Sequence, residues 1–389
     1  MAYFGGASSN ECSPVTAIVA PPHTFRVVVA AGGTGGHIFP AVAVVEQLEL
    51  LTNGACSTVF LGSTDRMEAT LIPKLGYQFV PMPIVGYKGL ALSTLSLPFN
   101  VLASIRIARE VIRKQKPHAV ICTGAYVSYP VGIAAMLLRI PLIVLESNLN
   151  PGKTNSRLAH RARAVVLAFE ESFDFYHEKL ASKLHVLGNP VRTQINTEIP
   201  QGAARRHFGL KEDVATVLVF GGSLGARTIN SEIERLLPTI AGRPWQMLWQ
   251  TGKGFTPASS LPENVRVVPF LDDMGSAYAA ADLIVARSGA TTIAELGIVG
   301  KPAILVPLPS ASTNEQQHNA SVVAKNGGAV VVADGSLQES LLSTIDDIMN
   351  SPAQRTYMSM SMTALGKPNA AIDCAKLILK CGGWQGGLA

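Results

Sequence analysis

Charged residues are scarce in this sequence: Asp, Glu, Lys and Arg make up 15% of 389 residues, and aromatics only 6%. No basic stretch is interleaved with stacking aromatics, so the net charge of +5 favours anionic partners without pointing to nucleic acid. The five cysteines (Cys12, Cys56, Cys122, Cys374 and Cys381) are odd in number and widely spaced, and no C-x-x-C occurs. That argues against a disulfide framework and a cysteine zinc site, and predicts a reducing compartment. The longest apolar run, residues 131–145, is broken by Arg139 and Pro141 and is too short to span a bilayer. Residues 1–24 contain Glu11 but no Lys or Arg, so they lack the basic start of a secretory signal and read as a loose tail. There is no clean G-x-G-x-x-G, because Ile38 falls where its third glycine belongs, and no G-x-x-x-x-G-K-[ST]; a nicotinamide cofactor and ATP are both demoted. Asp272-Asp273 is not a D-x-D pair, and a helix start explains it without metal.

Apolar and turn-forming residues are plentiful. The chain is 48% hydrophobic, with 35 glycines and 24 prolines in no collagen-like period. Short β-branched runs recur at residues 25–31, 57–61, 119–123, 141–145, 164–169 and 184–187, and again at 216–220, 246–250, 265–268, 283–286, 303–306 and 329–332. Each is separated from the next by a segment of helical length. Continuous apolar strands alternating with helices predict an α/β chain of parallel sheets covered on both faces.

The pattern restarts midway. Residues 26–34 run from an apolar strand into Gly32-Gly33-Thr34, and residues 216–223 run from another into Gly221-Gly222-Ser223. Two such openings predict two similar domains, joined near Gly188-Asn189-Pro190-Val191-Arg192. The predicted units are 25–190 and 191–369, with a final helix at about 370–389. Ligands of such sheets bind at the carboxyl ends of the strands, so the cleft between the domains is the expected site.

A strand–glycine–helix turn leaves amide N–H groups free at a helix start, where they and the helix dipole favour an anion. The plain alternative is that each loop makes only a tight turn. His37 closes the first loop. It reads either as a packing residue or as a general base, since its ordinary pKa lies near neutrality. Arg287-Ser288-Gly289-Ala290-Thr291-Thr292-Ile293-Ala294-Glu295 predicts another strand-to-helix turn with exposed amides. Thr292-x-x-Glu295 fits a capping box, yet a carboxylate there also suits the vicinal diol of a ribose. Asn314 to Asn319 form a polar cluster. Arg192 is a candidate phosphate partner. Residues 90–105 carry no charge, and Arg106, Arg109 and Arg113 follow at helical spacing. An apolar segment beside a basic stripe suits an anionic membrane surface, although leucines packed in a core beside a solvated helix face would look alike.

Taken together, Gly32–His37, residues 124–130, residues 188–192, residues 221–226, residues 270–274 and residues 287–295 resemble the MurG family of bacterial peptidoglycan glycosyltransferases. The resemblance implies a GT-B fold: two Rossmann-like doubly wound domains facing a central cleft, with the last helix crossing back onto the first. It implies inverting transfer of N-acetylglucosamine from UDP-N-acetylglucosamine to the 4-hydroxyl of the muramoyl sugar of undecaprenyl-linked lipid I, giving lipid II. It implies no metal and no organic cofactor, and a peripheral protein on the cytoplasmic face of the bacterial plasma membrane. Carried over onto this sequence, the family's donor contacts fall on Thr34, Gly35, Gly36, Asn148, Arg192, Ser223, Leu271, Ala290, Thr291, Thr292, Ile293, Ala294, Glu295 and Gln316. His37 and Glu295 are the implied catalytic positions. This chain reads Leu145-Glu146-Ser147-Asn148 where the family has H-E-Q-N, and the loop before Gln316 varies in length. The rivals are a UDP-N-acetylglucosamine 2-epimerase, a diacylglycerol glycosyltransferase and a non-catalytic nucleotide-binding module.

Overall fold

A computed structural model describes residues 24–85, 97–195, 198–222, 225–309 and 314–387. The first half contributes strands β1 (Phe25–Ala30), β2 (Cys56–Ser63), β3 (Gln78–Met82), β4 (Ala119–Cys122), β5 (Leu142–Glu146), β6 (Ala164–Leu167) and β7 (Leu184–Val186). The second contributes β8 (Thr216–Phe220), β9 (Gln246–Gln250), β10 (Val265–Val268), β11 (Leu283–Ala286), β12 (Ala303–Leu305) and β13 (Ala329–Val331). Between them run α1 (Gly35–Leu51), α2 (Met67–Lys74), α3 (Leu97–Gln115), α4 (Ala125–Leu137), α5 (Lys153–Ala159), α6 (Gln201–His207), α7 (Arg227–Ile240), α8 (Met274–Ala280), α9 (Ala290–Val299), α10 (Glu315–Lys325), α11 (Leu337–Met349), α12 (Pro352–Leu365) and α13 (Ala370–Cys381).

The strands form two sheets, in the orders β3-β2-β1-β4-β5-β6-β7 and β10-β9-β8-β11-β12-β13. Their pairings are parallel throughout, in register from Phe25↔Cys56 in the first and Thr216↔Gln246 in the second. β3 falls outside the runs expected from sequence. Gln78-Phe79-Val80-Pro81-Met82 lacks a continuous apolar stretch because it is an edge strand, where one exposed side and a proline are tolerated.

Alternation along the central strands explains why both faces are covered. Val27, Val29 and Ala31 pack with Ile38, Val45 and Leu48 of α1 and with Cys374 and Ile378 of α13. Val28 and Ala30 pack on the other face with Ala108, Ile112, Val131 and Ala134 of α3 and α4. In the second sheet Val217 and Val219 join Ile233 and Ile345, while Leu218 and Phe220 join Tyr278 and Leu296. Full burial of each valine, leucine or isoleucine among them stabilises by about 1.5–3 kcal/mol. α12 packs on α9 of the second half, and α13 then crosses to lie along α1 of the first.

Candidate active site

The site begins where the strand order reverses. β1 lies between β2 and β4, so the loops leaving β1 and β4 diverge and open a crevice at their carboxyl ends. The loop after β1 leads through Gly32-Gly33 to Thr34, the exposed N-cap of α1, and then to Gly35, Gly36 and His37 in its first turn. His37 Nδ1 lies 2.8 Å from the Thr123 carbonyl, just beyond β4. A carbonyl oxygen only accepts, so Nδ1 carries the proton and Nε2 keeps its lone pair. Burial pulls the imidazole below its ordinary value, against the raising effects of the Thr123 carbonyl, Glu315 and Glu68. Gly124 completes this contact: its φ is +104°, and a Cβ there would lie 3.1 Å from His37 Cε1.

The second sheet repeats the device. β8 lies between β9 and β11, and the chain leaves β11 through Arg287-Ser288-Gly289 into α9. The N-cap of α9 is Gly289, so Thr292 already lies inside the helix. The capping-box reading of Thr292 and Glu295 is therefore overturned. Glu295 is buried within α9 and accepts a hydrogen bond from Tyr278 Oη of α8 at 2.7 Å. Burial raises its pKa, opposed by the Tyr278 bond and the nearby Arg192 charge. Arg287 is buried too. It pairs with Asp334 at 2.5 Å and donates to the Val306 and Pro307 carbonyls and to Thr228 Oγ1, so it braces the turn. Asp273 caps α8 by accepting from Ser276 N at 2.9 Å, as the helix-start reading expects.

The two switch points face one another. Thr291 Oγ1 at the start of α9 donates to the Gly36 carbonyl at the start of α1, at 3.2 Å. Asn189 Nδ2 reaches Thr291 Oγ1 at 3.5 Å from the connecting stretch. Asn319 of α10 accepts from Leu149 N at 3.0 Å and donates to Asn148 Oδ1 at 3.2 Å. Gly36, Asn148, Asn189, Thr291 and Asn319 are thus brought together where the two sheets meet. The Arg192 guanidinium stacks 4.1 Å from the Phe39 ring centroid, and its buried Nε has no hydrogen-bond partner among the described residues. Leu271 and Ile293 are buried in one core cluster, so their side chains belong to packing. Ala290, Thr292 and Ala294 are half-buried at the helix start. Gln316 accepts from Ser288 Oγ through its carbonyl and from Leu308 N through Oε1. Ser223 lies outside the described residues.

Sequence reasoning passed over several residues that shape this cleft. Glu146, at the end of β5, accepts from Asn148 N (2.9 Å), Gly152 N (3.0 Å) and Asn155 Nδ2 (2.9 Å), and burial raises its pKa. An acidic residue ending the apolar run 142–145 was a readable signal. Glu68 and Tyr278 left none, because nothing in their local sequence marks them as buried. Among the described residues, no group of three or more His, Cys, Asp or Glu is placed to hold a metal ion.

α3 presents a second surface. Phe99 and Leu102 are 76% and 64% exposed, and Arg106, Arg109 and Arg113 continue the same exposed stripe. Residues 90–96 of the uncharged stretch lie outside the described residues. Among the described residues no helix is long and apolar enough to cross a membrane.

Two doubly wound sheets that face each other through glycine turns and helix N-termini define a GT-B protein, the architecture of many glycosyltransferases. The glycosyltransferase family 28 N-terminal domain matches residues 27–167, and the glycosyltransferase family 28 C-terminal domain matches residues 216–376. A UDP-N-acetylglucosamine--N-acetylmuramyl-(pentapeptide) pyrophosphoryl-undecaprenol N-acetylglucosamine transferase of Flavobacterium psychrophilum is 33% identical, across 92% of this chain and 97% of its own. One of the same name from Desulfitobacterium hafniense is 37% identical, across 91% and 98%. The crystal structure of Acinetobacter baumannii MurG superposes with a TM-score of 0.72 at 29% identity, covering 92% of this chain and 99% of that one. A UDP-GlcNAc 2-epimerase from Neisseria meningitidis, bound to UDP-GlcNAc, reaches a TM-score of 0.63 over 92% of this chain and 100% of its own, but only 16% identity, which speaks for the fold alone. The chain belongs to the MurG family within glycosyltransferase family 28.

Proposed function

We propose that this enzyme transfers N-acetylglucosamine from UDP-N-acetylglucosamine to the 4-hydroxyl of the muramoyl sugar of undecaprenyl-linked lipid I, forming lipid II with inversion. The observation that carries the reading is the meeting of α1 and α9 at the cleft through Thr291 and Gly36, in a chain of this family. Residues 25–190 serve the acceptor and the membrane, residues 191–369 hold the donor, and the closing helix ties the two. The uridine ribose sits on Glu295, with the Leu271 backbone at the uracil. The diphosphate lies by Arg192, Ser223 and the amides of the α9 start, and the sugar by Thr34–Gly36, Asn148 and Gln316. His37 Nε2 takes the proton of the acceptor hydroxyl as the new O–C1 bond forms. The bond from C1 to the UDP oxygen breaks, and UDP leaves with its charge stabilised by fixed donors.

We also infer a peripheral seat on the cytoplasmic face of the plasma membrane, with Phe99 and Leu102 in the interface and Arg106, Arg109 and Arg113 against anionic headgroups. The exposed stripe of α3 supports it. The deciding experiment measures labelled sugar transfer from the UDP donor to a lipid I analogue, with an epimer assay beside it. Lipid-linked disaccharide is the expected product; epimerised UDP-sugar formed without acceptor, or donor binding without turnover, would sink the proposal.

A further inference from the structure

Glu68 is fully buried and forms no ion pair among the described residues. Three hydrogen bonds hold its carboxylate instead. Oε1 accepts from Ser63 N at 3.0 Å and from Ser63 Oγ at 2.5 Å, and Oε2 accepts from Gly33 N at 3.0 Å. A Cβ on Gly32 would lie 2.4 Å from Oε1, so the carboxylate fills the back of the first glycine turn.

Two consequences follow from this placement. The Gly33 amide is one of the donors a strand–glycine–helix turn normally offers an anion, and here a side chain of the same protein has taken it. A negative charge also lies beneath the loop in dry surroundings, where it acts strongly on what sits above. A diphosphate is disfavoured there and positive charge is favoured. His37 follows that turn directly. The Thr123 carbonyl beyond β4 accepts from its ring, and the carboxylates of Glu315 in α10 and Glu68 in α2 are the negative charges that act on it.

We propose that Glu68 is a positioning residue for the transfer: it locks the Gly32–Gly33 turn that aims His37, and it supplies the buried counter-charge for the imidazolium formed when Nε2 takes the acceptor's proton. This rests on the reading of His37 as the base. Burial alone disfavours the protonated ring, and the carboxylates of Glu68 and Glu315 work against that effect.

The test is the pH dependence of kcat, with KM for both substrates, in Glu68→Gln, Glu68→Asp, His37→Ala and the Glu68→Gln/His37→Ala double variant. Glu68→Gln is expected to lower kcat about tenfold or more, with donor KM within about twofold. Its acid limb moves to lower pH, because loss of the negative charge makes the imidazole easier to deprotonate. Glu68→Asp keeps the charge, so it lowers kcat but leaves the acid limb in place. In the His37→Ala background, Glu68→Gln changes kcat by less than about twofold. Wild-type kcat in Glu68→Gln, an unmoved acid limb, or the same loss in both backgrounds overturns the proposal. If Glu68→Gln does not fold, wild-type kcat in Glu68→Asp overturns it. Full activity in His37→Ala would instead remove the base assignment on which it rests.

Discussion

Tyr278 donates its phenolic hydrogen to Glu295 Oε2 at 2.7 Å, and both side chains are buried. The bond joins α8 to the first turns of α9 and orients the carboxylate on which the proposed ribose contact falls. A hydrogen bond to a charged group contributes about 1.5–3 kcal/mol, or roughly 10–100-fold in an equilibrium. Glu295→Ala is therefore expected to raise donor KM by about tenfold or more. Tyr278→Phe, which removes only the orienting bond, should raise it by less. Titration of UDP into both variants checks the order; equal losses for uridine and UDP would agree with a ribose contact, and unchanged UDP affinity in Glu295→Ala would refute it.

His37 carries a pKa lowered by burial from the ordinary 6.5. A base works only when neutral, so kcat should stay level as pH falls through 6.5 and decline only at lower pH. The same sign governs stability. The folded state binds this proton less readily than the unfolded chain, so this group's contribution falls as pH drops through the unfolded value. His37→Ala should lower kcat by about 10²–10⁴-fold and abolish the acid limb. A kcat profile whose acid limb lies above the usual histidine value would contradict the assignment.

Arg192 stacks on Phe39 and holds a buried Nε without a hydrogen-bond partner among the described residues. A diphosphate oxygen would satisfy it. Arg192→Lys keeps the charge but loses the planar fork, so it should not restore function. Both Arg192→Ala and Arg192→Lys are expected to weaken UDP binding by about tenfold or more, while uridine binding is little changed. Calorimetry with the two ligands separates these outcomes.

The exposed face of α3 sets the last expectation. Each arginine near an anionic membrane surface contributes about 1 kcal/mol. Arg106→Glu together with Arg109→Glu should weaken sedimentation with anionic vesicles by more than about tenfold, and salt should weaken the wild type in the same direction. Phe99→Ser with Leu102→Ser should reduce binding in a way salt does not alter. Transfer to a soluble acceptor analogue should be unaffected by all four changes. Vesicle binding equal to wild type in both double variants would remove this surface from the membrane reading.

Composition and spacing alone determined a great deal. The recurring apolar runs suit buried parallel strands, and twelve of the strand positions followed from them. The repeated glycine–hydroxyl turns announced two similar halves, because a strand that feeds a helix through so tight a turn demands residues of that kind. The edge strand β3 escaped, since a proline and polar residues erase the apolar signal where one side faces solvent. The fate of buried carboxylates was decided only by the tertiary structure. Glu295 looked like a cap because its spacing from Thr292 is right, yet α9 begins at Ala290 and places it against Tyr278. Glu68 carried no signal in the sequence; its role arises only where the fold sets α2 behind the first glycine turn. Local sequence reports which residues suit a helix, a strand or a turn. Which charges lose their water, and which distant donors replace it, depends on contacts between segments far apart in the chain. That is why the first glycine loop, which as sequence offers a free amide, holds a carboxylate on the Gly33 N–H once folded.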